Sequence, residues 1–207
     1  MCDDCRRTLP RAAAACRVCA LPVVAGDVCG RCLAKPPAFE RTVAAFTYAY
    51  PVDRLLHAYK YRGRLALAHW CARELGEAIS AAAIDTAGVC MVAMPLGKAR
   101  QRERGFNQAL EIARLAGASL DVELAQGFVR RAREAVPQAA LAWSERAANV
   151  RGAFVCDDDV RGLDIAVIDD VMTTGASLQE LARTLKAAGA HSVQNWVIAR
   201  TLPPLSA

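Results

Sequence analysis

The sequence predicts an α/β protein, a parallel sheet flanked by helices, with a small cysteine-rich module at its N-terminus. Three observations carry this. First, the last third alternates strand, helix and strand. Leu163 to Ile168 has the make-up of a buried strand, Leu178, Leu181, Leu185 and Ala188 recur at helical spacing until Gly189, and Val193 to Ala199 returns to a strand. Such a unit needs a parallel sheet covered on both faces. Second, six of the nine cysteines fall within residues 2 to 32 as three Cys-x-x-Cys pairs, and this composition stops at Lys35-Pro36-Pro37. Third, 207 residues suit one medium domain with a small appendage. The predicted division is a module over 1–38 and a main domain over 39–207.

After the cysteine pairs, Thr42 to Tyr50 (TVAAFTYAY) reads as a strand. Residues 53 to 83 carry Leu55, Leu56, Leu65, Leu67, Trp70, Leu75 and Ile79 at spacings of one or two amphipathic helices, broken at Gly63. Val89 to Met94 is a second strand, ending at Pro95. A basic loop, LGKARQRERGFNQ, follows, and then a helix from about Asn107 to Ala118. Between 119 and 160 the pattern is mixed, with strand-like pieces at 127–131 and 152–156.

Hydrophobic residues make up 54% and charged residues 23%, yet no apolar run reaches the roughly 18 uncharged residues a membrane helix needs, so no membrane insertion is expected. The N-terminus, MCDDCRRTLP, lacks the basic-then-apolar order of a secretory signal. A cytoplasmic chain with reduced thiols is the expectation, and its paired cysteines then read as metal ligands before disulfides. The net charge of +5 suits anionic partners but is too small to mark a nucleic-acid surface alone.

Cys16, Cys19, Cys29 and Cys32 offer four thiolates to one tetrahedral Zn²⁺, each pair forming a knuckle. An ion would replace the core that some 35 residues with few large apolar side chains lack. Cys2, Cys5, Cys16 and Cys19 form an equally good set, and spacing does not choose between them. Cys71, Cys90 and Cys156 read as packed thiols.

The stretch IAVIDDVMTTGAS, residues 165 to 177, sets Asp169 and Asp170 at a strand end and Thr173, Thr174, Gly175, Ala176 and Ser177 at the start of the next helix. Open parallel sheets bind ligands beyond the carboxyl ends of their strands. The first N–H groups of a helix lack intrahelical partners and carry partial positive charge, so this end suits a phosphate. Thr173, Thr174 and Ser177 add hydroxyl donors, and Gly175 admits close backbone approach. Carboxylates repel phosphate. Asp169 and Asp170 are therefore expected to hold another part of the same ligand, and a ribose 5-phosphate, its ring hydroxyls donating to the two acids, is the economical candidate.

At these residues the sequence resembles the phosphoribosyltransferases, whose loop for phosphoribosyl pyrophosphate (PRPP) joins an apolar run, two acids and a Thr-Thr-Gly cradle. With MPLGKARQRERGFNQA (94–109), PQAALAWSERAANVRGAF (137–154) and the paired cysteines, it resembles the ComF family of phosphoribosyltransferase-like proteins, associated with natural competence. The resemblance spans nearly the whole chain and implies a type I phosphoribosyltransferase-like sheet. It implies that Pro95, Leu96, Gly97 and Lys98 form a pyrophosphate loop and that Arg100, Arg102 and Arg104 close over the leaving group, where guanidinium forks match phosphate oxygens. It also places Lys60, Gln138, Arg146, Asn149 and Arg151 at the cleft; a polar linker is the other reading of the last four.

The reaction so implied is displacement at the anomeric carbon, with Mg²⁺ neutralising the departing diphosphate and Asp169 or Asp170 stabilising charge that develops on the ribose. No residue identifies itself as a general base, and the acceptor is unassigned. Three function classes follow: a phosphoribosyl-transferring enzyme, a non-catalytic PRPP sensor, and an accessory of DNA uptake that meets single-stranded DNA or a helicase partner. For the last, Phe106, Trp143 and Trp196 are the candidate stacking residues.

Overall fold

Strand side chains alternate between the two faces of a sheet, so a buried parallel sheet sorts its apolar residues into two clusters. The computed structural model of the chain describes residues 2–12, 14–132 and 150–203. Its strands are β1 Arg41–Thr47, β2 Val89–Ala93, β3 Glu123–Leu124, β4 Val129–Arg131, β5 Phe154–Cys156, β6 Asp164–Met172 and β7 Ser192–Arg200. Its helices are α1 Asp3–Arg7, α2 Gly30–Ala34, α3 Val52–Tyr61, α4 Ala66–Ala81, α5 Lys98–Arg104, α6 Gln108–Leu120 and α7 Ala176–Ala187. The order β1-β7-β6-β2-β3 forms one sheet in which each neighbouring pair is parallel. β4 and β5 pair separately as an antiparallel ribbon.

Within β6 the alternation is plain. Ala166 and Ile168 join Met91, Trp196 and Ile198 beneath Leu56, Leu75 and Ile112 of α3, α4 and α6. Ile165 and Val167 join Val92, Val193 and Val197 on the other face, beneath Leu178, Leu181 and Leu185 of α7. Cys16, Cys19, Leu21, Cys32 and Phe39 belong to this second cluster, so the cysteine-rich segment packs against the α7 face. Thr42 anchors it to β1: its N–H donates to the Arg17 carbonyl at 2.9 Å and its hydroxyl to the Val18 carbonyl at 2.7 Å.

Two elements depart from the sequence reading. The basic stretch after β2 is the helix α5 and not a loop. Lys, Ala, Arg, Gln and Glu are strong helix formers, and Gly105, with φ of +78°, supplies the left-handed cap that ends it. The second departure is in β6, which continues beyond Ile168 through both aspartates because β7 keeps pairing with it as far as Met172 and Arg200. Pairing with β2 stops at Ala93 and Ile168. Asp169 and Asp170 are therefore held from one side and open on the other.

That opening lies where the connections diverge, β2 leading to β3 on one side and β6 leading through α7 to β7 on the other. Such a switch point is where open α/β sheets accept ligands. Trp196 is fully buried, which removes it as a stacking residue, whereas Phe106 is half-buried. Trp143, Gln138, Arg146 and Asn149 lie outside the described residues. No described helix is long and apolar enough to cross a membrane.

Candidate functional site

A cleft of about 240 Å³ occupies the switch point. Pro95 and Leu96 line it from the end of β2, Arg100 and Arg104 from α5, and Asp169 and Asp170 from β6. Thr173, Gly175, Ala176 and Ser177 line it at the start of α7, and Lys60 enters from α3. The structure thus brings together most of the residues singled out in three separate stretches of sequence.

Helix α7 begins at Gly175, whose φ of +82° is strained for any residue with a Cβ, and an added Cβ would also stand 2.7 Å from the Met172 methyl. The Thr174 hydroxyl accepts from the Ala176 N–H at 3.2 Å, so Thr174 serves the helix start and does not line the cleft. In α5, residues four apart share a face. Arg100 and Arg104 turn to the cleft, while Lys98 and Arg102 are exposed outside it and Gly97 serves as N-cap. Arg104 is held in place, donating to Gln108 Oε1 at 2.9 Å and to the Tyr61 hydroxyl at 3.0 Å, with its guanidinium 4.9 Å from the Tyr61 ring centre. Asn107 caps α6 with its side-chain oxygen and donates through Nδ2 to the Met94 carbonyl at 3.1 Å, which fixes α6 against the end of β2.

The floor of the cleft is charged. Lys60 Nζ lies 2.9 Å from Asp170 Oδ2, and the Asp170 N–H donates to Asp169 Oδ1 at 2.8 Å. Burial opposes the charge on Lys60, but attraction to Asp170 and Asp169 holds its pKa above the ordinary lysine value. Asp169 is pushed up to about 7, first by burial and then by the Asp170 charge, against the pull of Lys60. The folded protein therefore binds an extra proton at Asp169 between its ordinary value of 3.8 and about 7. This contribution to stability is whole below that window and lost as pH rises through it. Asp169 keeps partial exposure within the cleft, which limits the effect. Asp169→Asn is expected to gain about 1–2 kcal/mol over wild type between pH 5 and pH 8, read from denaturant melts. Parallel pH dependence in the two proteins would mean that Asp169 titrates as an ordinary carboxylate.

Tyr48, Gln108 and Arg131 also line the cleft; Gln108 lies in the 94–109 stretch of the resemblance, and no local pattern in the sequence marks Tyr48 or Arg131. The three stand after β1, at the start of α6 and at the end of β4, positions that only the strand order makes neighbours. Arg151 is exposed at a turn and does not line the cleft.

On the α7 face, Cys16, Cys19, Cys29 and Cys32 gather with their sulfurs all within 4.8 Å of one another. Cys2 and Cys5 are exposed and outside this group. Tetrahedral Zn–S bonds of about 2.3 Å would set sulfurs about 3.8 Å apart. The Cys19 and Cys29 sulfurs stand at 3.6 Å, so the four thiols fit the ion. Burial raises the cost of a thiolate at Cys16, yet main-chain N–H groups of Cys29, Cys19 and Val18 hold it down to about 7. Arg200 lies beside the cluster: burial pushes it down to about 10, while the sulfurs of Cys19, Cys32 and Cys29 pull against that.

No protein-family model matches the chain. It is 33% identical over 211 residues to the DNA utilization protein YhgH of Salmonella typhimurium, covering 98% of this chain and 91% of that protein. It is 28% identical to competence protein F of Haemophilus influenzae, over 83% of this chain and 78% of that protein. Among solved structures, hypoxanthine-guanine phosphoribosyltransferase of L. donovani is similar at 17% identity and a TM-score of 0.37, over 64% of this chain and 69% of that one. With a third of its residues shared along almost its whole length, the chain belongs to the ComF family, that of YhgH and competence protein F.

Proposed function

We propose that the cleft binds PRPP with Mg²⁺ and that the protein is a phosphoribosyltransferase-like component of DNA uptake and use, working in the cytoplasm. One juxtaposition supports this most: two carboxylates, a helix N-terminus and two arginines face a single cleft. The ligand that satisfies all three carries a diol between two anionic groups. The 5′-phosphate sits at Thr173 to Ser177, the ribose hydroxyls donate to Asp169 and Asp170, and the diphosphate lies toward Pro95, Leu96, Arg100 and Arg104. Asp170 is already paired with Lys60, and among the described residues no third acid or histidine joins the two aspartates. The described residues so offer no cage of their own for Mg²⁺, which fits an ion carried in on the diphosphate.

Such a site would serve transfer as follows. The anomeric C–O bond breaks, diphosphate leaves with the electron pair, and an acceptor nucleophile forms the new bond. Arg100 and Arg104 receive the leaving charge, and the carboxylates face the positive charge that develops on the ribose. The link to DNA rests on the names of the relatives, and single-stranded DNA or a helicase partner would meet the outward cations Lys98 and Arg102.

Calorimetric titration with PRPP plus Mg²⁺, beside ribose 5-phosphate and pyrophosphate alone, tests the reading. PRPP is expected to bind at least about tenfold tighter than either half, since each end adds charge-assisted hydrogen bonds. Equal affinity for PRPP and ribose 5-phosphate would remove the α5 side from the site, and no heat with PRPP would sink the assignment. Pyrophosphate release on adding an acceptor would separate an enzyme from a sensor. DNA binding, if present, should weaken steeply with salt.

A further inference from the structure

Arg200 ends β7 and is 2% exposed, among the largest fully buried side chains. A buried guanidinium ordinarily takes a carboxylate partner. Every hydrogen bond that the Arg200 side chain makes among the described residues goes instead to a main-chain carbonyl, and apart from that of the neighbouring Thr201 these carbonyls come from two distant segments. Nε donates to Cys19 at 2.7 Å. Nη1 donates to Met172 at 2.9 Å, to Thr173, and to Thr201 at 2.8 Å. Cys19 is one of the four clustered thiols, and Met172 and Thr173 carry the chain from β6 into the cleft. One planar, rigid group is therefore common to both sites. Its Nη2 is buried without a hydrogen-bond partner among the described residues, so the group has no spare carbonyl to fall back on if one is withdrawn.

We propose that Arg200 is a positioning residue that links metal occupancy of the cysteine cluster to ligand binding in the cleft. This deepens the PRPP reading and rests on it. With an ion in place, four sulfur bonds fix the Cys16–Cys32 chain and with it the Cys19 carbonyl. The loaded cluster is net negative, which also offsets the buried cation. Without the ion the sulfur bonds are gone, packing against the α7 face and the two Thr42 hydrogen bonds remain to hold the knuckles, and the Cys19 carbonyl is less firmly fixed. The guanidinium then loses that partner or follows it, and in following it withdraws its donor from Met172 and Thr173. The Thr173 and Gly175 segment loosens in consequence. Linkage is reciprocal, so a ligand that fixes this segment also retains the metal.

Zinc retention provides the test. Zinc-loaded, full-length protein is challenged with a chromophoric chelator, and metal release is followed with and without saturating PRPP plus Mg²⁺, with calorimetry on the same sample. PRPP is expected to slow release on the order of tenfold in the wild type. Arg200→Lys keeps the charge but loses the planar fork, and should show no such protection. Should that variant fail to fold, Arg200→Gln gives the same comparison. Release at one rate with and without PRPP, where calorimetry shows PRPP bound, overturns the linkage alone. Full protection in the Arg200 variant overturns Arg200 as the link. An absence of heat in the wild type overturns the PRPP reading, and the linkage with it.

Discussion

Stripping zinc from protein loaded with it at the Cys16, Cys19, Cys29 and Cys32 cluster, which fits the ion, is expected to lower the apparent stability by about 5 kcal/mol or more at neutral pH. Structural zinc contributes roughly 10–16 kcal/mol in isolated finger peptides, and an ion that binds only the folded state shifts the unfolding equilibrium directly. Here part of that support is shared, because Leu21 and Phe39 lie in the same apolar cluster as the α7 leucines. The cluster itself is well buried, with Cys16, Cys19 and Cys32 at 1%, 3% and 7% exposure. Loss of the ion leaves thiols in the interior, and burial pushes the Cys32 thiol well above its ordinary range. At roughly 2–4 °C per kcal/mol for a chain of this size, the melting temperature should fall on the order of 10–20 °C. Thermal melts with and without a zinc chelator, followed by stoichiometric zinc return, measure this. A melting temperature that stays put after verified zinc loss would reject a structural metal.

Asp170→Asn is expected to cost about 3 kcal/mol of stability, apart from any effect on ligand binding. The Lys60 and Asp170 side chains are 18% and 11% exposed and 2.9 Å apart. Breaking a buried pair by removing one partner typically costs 3–5 kcal/mol, because the other charge is left uncompensated, and the residual exposure here sets the lower end. Removing both charges avoids that penalty. The double variant Asp170→Asn/Lys60→Met should recover most of the loss, and a double-mutant cycle in denaturant quantifies the coupling. Additive losses would mean that the two side chains do not interact in solution. The cycle also guards the functional experiment: weak PRPP binding by Asp170→Asn counts as a lost contact only if the folded double variant is weak too.

The βαβ unit was legible because its cues are local. Ile165 to Ile168 and Val193 to Ala199 are strand-like in themselves, and the leucines of α7 repeat at helical spacing up to Gly189. The cysteine cluster was legible as chemistry, but the choice of four among six needed coordinates, since a ten-residue spacer and a nine-residue spacer close a tetrahedron equally well. Helix α5 was hidden by the absence of an apolar stripe: KARQRER has no hydrophobic periodicity, and only its helix propensity hints at its state. By sequence Asp169 and Asp170 stand at a strand end, and the continuation of β6 through them depends on β7, a partner that lies outside their own segment. Tyr48, Arg131 and Arg200 carried no signal at all. Each stands at the end of a strand, where a polar residue is unremarkable until distant elements meet it.

The split of α5 into two faces has a kinetic corollary. In the proposed PRPP site Arg100 and Arg104 line the cleft within reach of the ligand, whereas Lys98 and Arg102 are exposed outside it. Charges so placed shape the field that a polyanion feels during diffusion, and they govern how often it arrives more than how tightly it stays. Ionic strength, whose screening length is about 8 Å under physiological conditions, then throttles capture while leaving residence time nearly untouched.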